Sequence, residues 1–165
     1  MHSNEERPVC VKHYDTMSEE ERGEFQKAVE EGGEVDSDGL SERMKHARLL
    51  AYAAFEQGFL GVGGLKQPAG SYLGKVSRLS GYDLSGYCAE LGWVYVTPEA
   101  RGMRLASRIA EALSSSYEKG IFATTRSDNV HMQSILLKLG FARVGNEYRS
   151  VEHSGKKIQA WVLSR

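Results

Sequence analysis

The chain has few cysteines, no long apolar run and almost no net charge. Only Cys10 and Cys88 occur in 165 residues, at neither a metal-ligand nor a disulfide-framework spacing. That excludes a paired-cysteine zinc site and a disulfide scaffold, no metal is expected, and two reduced thiols fit a reducing compartment. The longest apolar run, Leu49 to Phe55, is far too short to cross a bilayer. The segment Met1 to Arg7 has no signal-type apolar stretch, so the expectation is a cytoplasmic protein with no membrane partner. A formal net charge of −1 supplies no global field towards nucleic acid or anionic lipid. Internal repeats and low-complexity linkers are missing too. So are the two common phosphate cradles, the Gly-Lys-Ser/Thr of a triphosphate loop and the G-x-G-x-x-G of a dinucleotide site.

What is present suits one domain of ordinary globular composition, 41% hydrophobic and 26% charged. Acidic residues crowd the early part, from Asp15 to Glu42, and the chain is more basic from Lys66 onward. A solvated helix face explains the acidic run most simply, and an acidic rim for a cationic substrate is the sharper alternative.

The periodicity predicts a mixed α/β sheet. Pro8–Tyr14 reads as a first strand. Ser18 and Glu21 form a capping box for a helix carrying Phe25, Ala28 and Val29, stopped by Gly32-Gly33. A short helix follows over about Leu40–His46. Leu49–Phe55 and Phe59–Leu65 read as a hairpin turning at Glu56-Gln57-Gly58. Gln67–Gly86 is Gly-rich and polar, which predicts a long loop with at most one helical turn. Tyr87–Val96 is the strongest strand, with Leu91, Trp93 and Tyr95 on one face and Glu90, Gly92, Val94 and Val96 on the other. A helix striped by Leu105, Ile109, Leu113 and Tyr117 runs to Gly120. Then come a strand at Ile121–Thr124, a helix from about Asp128 ending at Gly140, strands at Phe141–Val144 and around Tyr148–Val151, a Ser154-Gly155 turn, and a strand at Ile158–Leu163.

The richest stretch is Val94 to Ile109. An apolar strand enters Thr97-Pro98, then an Arg101-Gly102 turn, then an amphipathic helix. Such a junction aims free backbone N–H groups and the positive end of a helix dipole at one spot, which suits a phosphate.

These residues resemble the GNAT superfamily of acyl-CoA-dependent N-acetyltransferases, over about Leu49 to Leu163. Two motifs carry the resemblance. Val96-Thr97-Pro98-Glu99-Ala100-Arg101-Gly102-Met103-Arg104-Leu105-Ala106 is similar to the family's V-x-P-x-x-R-G-x-G-x-G/A. Asn129, Lys138, Gly140 and Phe141 match its N-x-x-x-x-x-x-x-x-K-x-G-F. The resemblance implies a single domain over 1–165, with N-terminal strand and helices in 1–48 and an acyl-CoA-binding core in 49–165. It implies a mostly antiparallel mixed sheet, splayed at the cofactor cleft and flanked by about four helices. Acetyl-CoA would be the co-substrate, its diphosphate on Arg101, Gly102, Met103, Arg104, Leu105 and Ala106. Its pantetheine arm would lie along Val94, Tyr95 and Val96 like an added strand, within reach of the Asn129 side chain. A helix start and a helix cap are the plain readings of Arg101–Ala106 and Asn129.

The chemistry implied is direct attack of a primary amine on the thioester. An alkyl ammonium is neutral in only about one molecule in two thousand at pH 7, so a nearby carboxylate must remove a proton. Glu90, eleven residues before Arg101, stands where the histone-type branch places its base. A structural salt bridge is the rival role. A strand N–H near Val94 would hold the oxyanion. Two positions depart from the pattern. Arg104 fills a glycine position, where it would crowd the phosphates or turn outward and pair with one. Leu136 replaces the usual tyrosine acid, which leaves the acid unassigned, with Tyr148 as a substitute, and favours a non-catalytic acyl-CoA-binding module.

Tyr72, Lys75, Arg78 and Tyr82 are the candidate acceptor residues, suited to an amine that also carries a carboxylate or phosphate. A small-molecule acceptor is favoured over a protein lysine, a protein N-terminus or an aminoacyl-RNA, the last wanting a basic surface the chain lacks. No nucleic-acid partner is favoured, and the chain is expected to be a monomer or homodimer. Cys88 reads as a small buried hydrophobe, His131 as an exposed helix residue, and Gly61–Gly64 as a bulge or close backbone approach and not a nucleotide loop.

Overall fold

A computed structural model describes residues 8–56, 58–150 and 155–165. The N-terminal stretch 1–7, the turn residue Gln57, and Val151 and Ser154 of the expected last hairpin lie outside the described residues. The strands are β1 (Cys10–Lys12), β2 (Leu49–Phe55), β3 (Gly58–Lys66), β4 (Glu90–Val96), β5 (Ile121–Arg126), β6 (Ala142–Arg149) and β7 (Lys157–Leu163). The helices are α1 (Glu19–Glu31), α2 (Leu40–Lys45), α3 (Gly70–Ser80), α4 (Leu105–Ser115) and α5 (Val130–Lys138), with 3-10 turns at Tyr14–Thr16 and Pro98–Ala100.

One seven-stranded sheet runs β1-β2-β3-β4-β5-β7-β6. All its described pairings are antiparallel except β4–β5. That parallel pairing holds at a single register, Glu90 opposite Phe122. Beyond it β4 and β5 diverge, which opens the expected cleft.

The terminal signals work as read. Ser18 Oγ accepts from the Glu21 N–H while the Ser18 N–H donates to Glu21 Oε1, the reciprocal cap of α1. The α5 end closes with Phe141 N–H to Leu136 C=O and Gly140 N–H to Leu137 C=O, a Schellman motif that requires the left-handed Gly140 (φ 92°).

Helices cover both sheet faces. On one, α4 and α5 bury Ile109, Leu113 and Leu136 against Ala51, Leu65, Leu91 and Trp161. Each such fully buried side chain contributes about 1.5–3 kcal/mol. The Gly61–Gly64 run is a close approach, as expected. A Cβ on Gly63 would stand 2.6 Å from Ile109 Cγ2, and one on Gly64 would stand 2.7 Å from the Trp93 ring. On the other face α1 and α2 cover β2–β4, while α3 packs on β6 and β7.

Four expectations need correcting. Gln67–Gly86 is not a loop, because it holds the full helix α3, so among the described residues five α-helices flank the sheet. Gly70, Gly74 and three serines depress the helical signal, yet Val76 and Ser80 lie one turn apart on the buried side and Gly81 (φ 74°) closes the end. Second, α4 ends at Ser115, capped at Ser116, five residues before Gly120. Third, the two expected pieces at 141–151 are one strand, β6, whose register shifts between Val144 and Tyr148. Fourth, β4 begins at Glu90 and does not alternate throughout. Trp93 takes a left-handed backbone (φ 56°), and the β3–β4 register slips between Val62 and Gly64. This bulge turns Trp93 and Tyr95 to the α1 face, while Leu91, Val94 and Val96 face α4. Glu90 therefore does not share a face with Val94 and Val96.

Candidate active site

The site grows from where β4 parts from β5. Glu90 is 2% exposed. Its Oε1 takes the Lys66 ammonium at 2.6 Å, and its Oε2 is buried without a hydrogen-bond partner. Register explains the pair, since Lys66 of β3 stands directly opposite Glu90. Gly92 offers no side chain to block the lysine stem, and the Lys66 Nζ also sits 5.6 Å from the Trp93 ring centroid.

Two phenols feel the Glu90 charge. Burial first, then the carboxylate, pushes the Tyr72 hydroxyl far above the ordinary tyrosine range. The same two causes push Tyr148 up to about 12. Tyr72 comes from α3, Tyr148 from β6 and Glu90 from β4, so three elements distant in sequence meet here. A cavity of about 100 Å³ opens beside them, lined by Tyr72, Lys75, Val76, Leu79, Thr124, Tyr148, Ser150 and Ile158. Of the expected acceptor residues it gathers Tyr72 and Lys75. Arg78, exposed on α3, and Tyr82, beyond the end of that helix, lie outside it.

At the other end of β4, Thr97-Pro98 leads through a 3-10 turn into the Arg101–Arg104 loop. Arg101, Gly102, Met103 and Arg104 are all exposed. Gly102 (φ 87°) and Arg104 (φ 58°) are both left-handed. Arg104 thus keeps the backbone shape of a glycine position while carrying a side chain. No side chain caps α4, whose first intrahelical bond is Arg108 N–H to Arg104 C=O. The N–H groups of Leu105, Ala106 and Ser107 therefore point out of the helix end.

Across the cleft, Asn129 caps α5 by accepting the Met132 N–H at 3.1 Å, which leaves its amide NH₂ as a donor. The segment after α1 bridges the opening, since Glu34 pairs with Arg126 of β5 at 3.0 Å and Gly32 lies against the Tyr95 ring. Leu136 is fully buried and offers no acid. Cys88 is exposed, not buried as its sequence context suggested. His131 is exposed as expected. The sequence did not signal Lys66 or Thr124. Trp93 had one signal, the Gly92 just before adjacent apolar residues, a mark of a bulge.

Residues 14–141 match the model of the acetyltransferase (GNAT) family. The chain belongs to that family. No curated protein matches the sequence. Among solved structures, an acyl-CoA N-acyltransferase from Pseudomonas aeruginosa is similar over 96% of this chain and 99% of its own, at 14% identity and a TM-score of 0.66. A GNAT-family acetyltransferase from Streptococcus agalactiae is similar over 95% of each chain, at 13% identity and 0.66. An aminoglycoside 6′-N-acetyltransferase complexed with coenzyme A is similar over 93% of this chain and 96% of its own, at 14% identity and 0.62. At these identities the likeness establishes the fold. Among the described residues no helix is long and apolar enough to cross a membrane.

Proposed function

We propose that this GNAT protein transfers the acetyl group of acetyl-CoA to a primary amine of a small molecule by direct attack. The observation that carries the reading is Glu90, a buried carboxylate with one bare oxygen where β4 and β5 diverge. The diphosphate docks on the N–H groups at the start of α4, beside Arg101 and Arg104. The pantetheine arm follows Val94, Tyr95 and Val96, with Asn129 donating from the start of α5.

Glu90 takes one proton from the incoming ammonium, directly or through a water. The amine lone pair then adds to the thioester carbonyl, and the oxyanion is held by a strand N–H at the Trp93–Val94 bulge. Collapse breaks the C–S bond and forms the amide, and the second amine proton is lost to solvent. Leu136 is no obstacle to this sequence. A thiolate of pKa about 8.5 leaves without full protonation. Burial and the Glu90 charge hold the Tyr148 phenol well above the thiol, so the thiol proton comes from water.

Thermal unfolding with and without acetyl-CoA, followed by thiol release against an amine panel, tests the reading. Stabilisation together with amine-dependent thiol release is the expected result. Stabilisation without turnover on any amine would leave a binding module, the alternative that Leu136 favours.

A further inference from the structure

The cavity beside Glu90 has a composition that bears on the acceptor. It is roofed by α3 and floored by β5, β6 and β7. Its apolar wall is Val76 and Ile158, and its polar groups are the Tyr72, Tyr148, Thr124 and Ser150 hydroxyls and the Lys75 ammonium. Among the described residues no carboxylate lines it. Lys75 forms no ion pair among the described residues. Glu90 reaches the same region from β4, since it stands opposite Phe122 of β5, which packs with Tyr72, Val76 and Tyr148, and its Oε2 is buried. A cation-seeking oxygen and an anion-seeking ammonium thus share one tyrosine wall.

We propose that the acceptor is a small amino acid, its amine presented towards Glu90 and its carboxylate bound by Lys75 and the surrounding hydroxyls. The inference rests on the acetyltransferase reading above. Volume and charge select this class. About 100 Å³ holds a carboxylate and a few methylenes, whereas drug-sized ligands need roughly 300 Å³ or more. One ammonium balances a carboxylate, while a phosphate of about −1.5 to −2 would stay largely uncompensated. The two charges of the substrate each meet their complement, and a plain amine would leave Lys75 without one.

The test is thiol release from acetyl-CoA with a ladder of amino acids, one to five methylenes between amine and carboxylate, each beside its methyl ester. The expected result is a kcat/KM at least tenfold higher for the acid than for the ester at the best-fitting length. Lys75→Met is expected to collapse that ratio to about one, chiefly through KM, with Lys75→Arg restoring part of it. Arg78→Met, a charge change on the same helix outside the cavity, is expected to keep the ratio. Equal rates for acids and esters, or a ratio that survives Lys75→Met, overturns the assignment while leaving the acetyltransferase reading intact. An absence of acetyl-CoA stabilisation overturns both.

Discussion

The two ends of β4 are held in different ways. At the C-terminal end, the turn, the loop and the start of α4 are contiguous in sequence, and the groups the helix start leaves open are backbone N–H donors. At the N-terminal end, Glu90 is met by Lys66 from β3, Tyr72 from α3 and Tyr148 from β6, all side chains brought from far along the chain. The first end needs only a local conformation, whereas the second needs the whole sheet in register. A cofactor common to a family suits the first design. An acceptor that differs between members suits the second, because side chains can change without disturbing the backbone.

Substitutions that hit one end and spare the other put this contrast at risk. The largest effect is expected from Ser107→Asp. An aspartate in the first turn suits the helix dipole, so thermal stability should hold or rise by about 0.5 kcal/mol. Its charge would meet the diphosphate, and calorimetric titration should show acetyl-CoA affinity falling about 100-fold, some 3 kcal/mol. Unchanged affinity would remove the diphosphate from this helix end.

Gly145→Ala attacks the other end. Gly145 is left-handed (φ 68°), and a Cβ there would lie 2.5 Å from the Ser80 carbonyl at the close of α3. Urea unfolding should show a loss of about 2–4 kcal/mol, and the acceptor KM should rise while acetyl-CoA affinity stays within about twofold.

Arg104→Gly is subtler. The guanidinium is exposed and free to reach a phosphate, so its loss should weaken acetyl-CoA binding about three- to tenfold with kcat unchanged. Tighter binding would mean that the side chain crowds the phosphates instead.

The smallest effect lies outside both ends. The Lys12 ammonium first, then the Ser18 N–H and the Tyr52 hydroxyl, holds the Glu21 carboxyl down to about 2 from 4.5. A depressed folded pKa stabilises above the unfolded value and is lost as pH falls through the folded one. Stability should therefore drop by about 1 kcal/mol between pH 4.5 and 2, and Glu21→Gln should flatten that step in pH-dependent unfolding.

The same contrast decides what was legible beforehand. The α1 capping box, the Gly32 and Gly140 stops and the strand–turn–helix course from Val96 to Ala106 are local, and they read correctly. The helix α3 escaped because Gly70 and Gly74 weaken its propensity and only packing on β6 and β7 secures it. The face of Glu90 was misread because strict alternation fails at the Trp93 bulge. That left-handed tryptophan is kept in place by Phe25 at 6.3 Å edge-to-face and by the space that Gly64 leaves for its ring. Lys66 could not be paired with Glu90 without the β3–β4 register. Leu136 and Arg104, by contrast, were visible as departures at once, and the structure gives each a physical setting in a buried core position and a left-handed helix start.

Glu90 is the point where catalysis and mere salt-bridging part. Glu90→Gln keeps the size of the side chain and its contact with Lys66, whose ammonium stays partly solvated. Acetyl-CoA titration and single-turnover acetylation on this variant form one paired measurement. The result expected is an acetyl-CoA Kd within about twofold of the parent and a rate lower by at least about 100-fold. A rate within about threefold of the parent would contradict the base assignment and reduce Glu90 to the structural partner of Lys66.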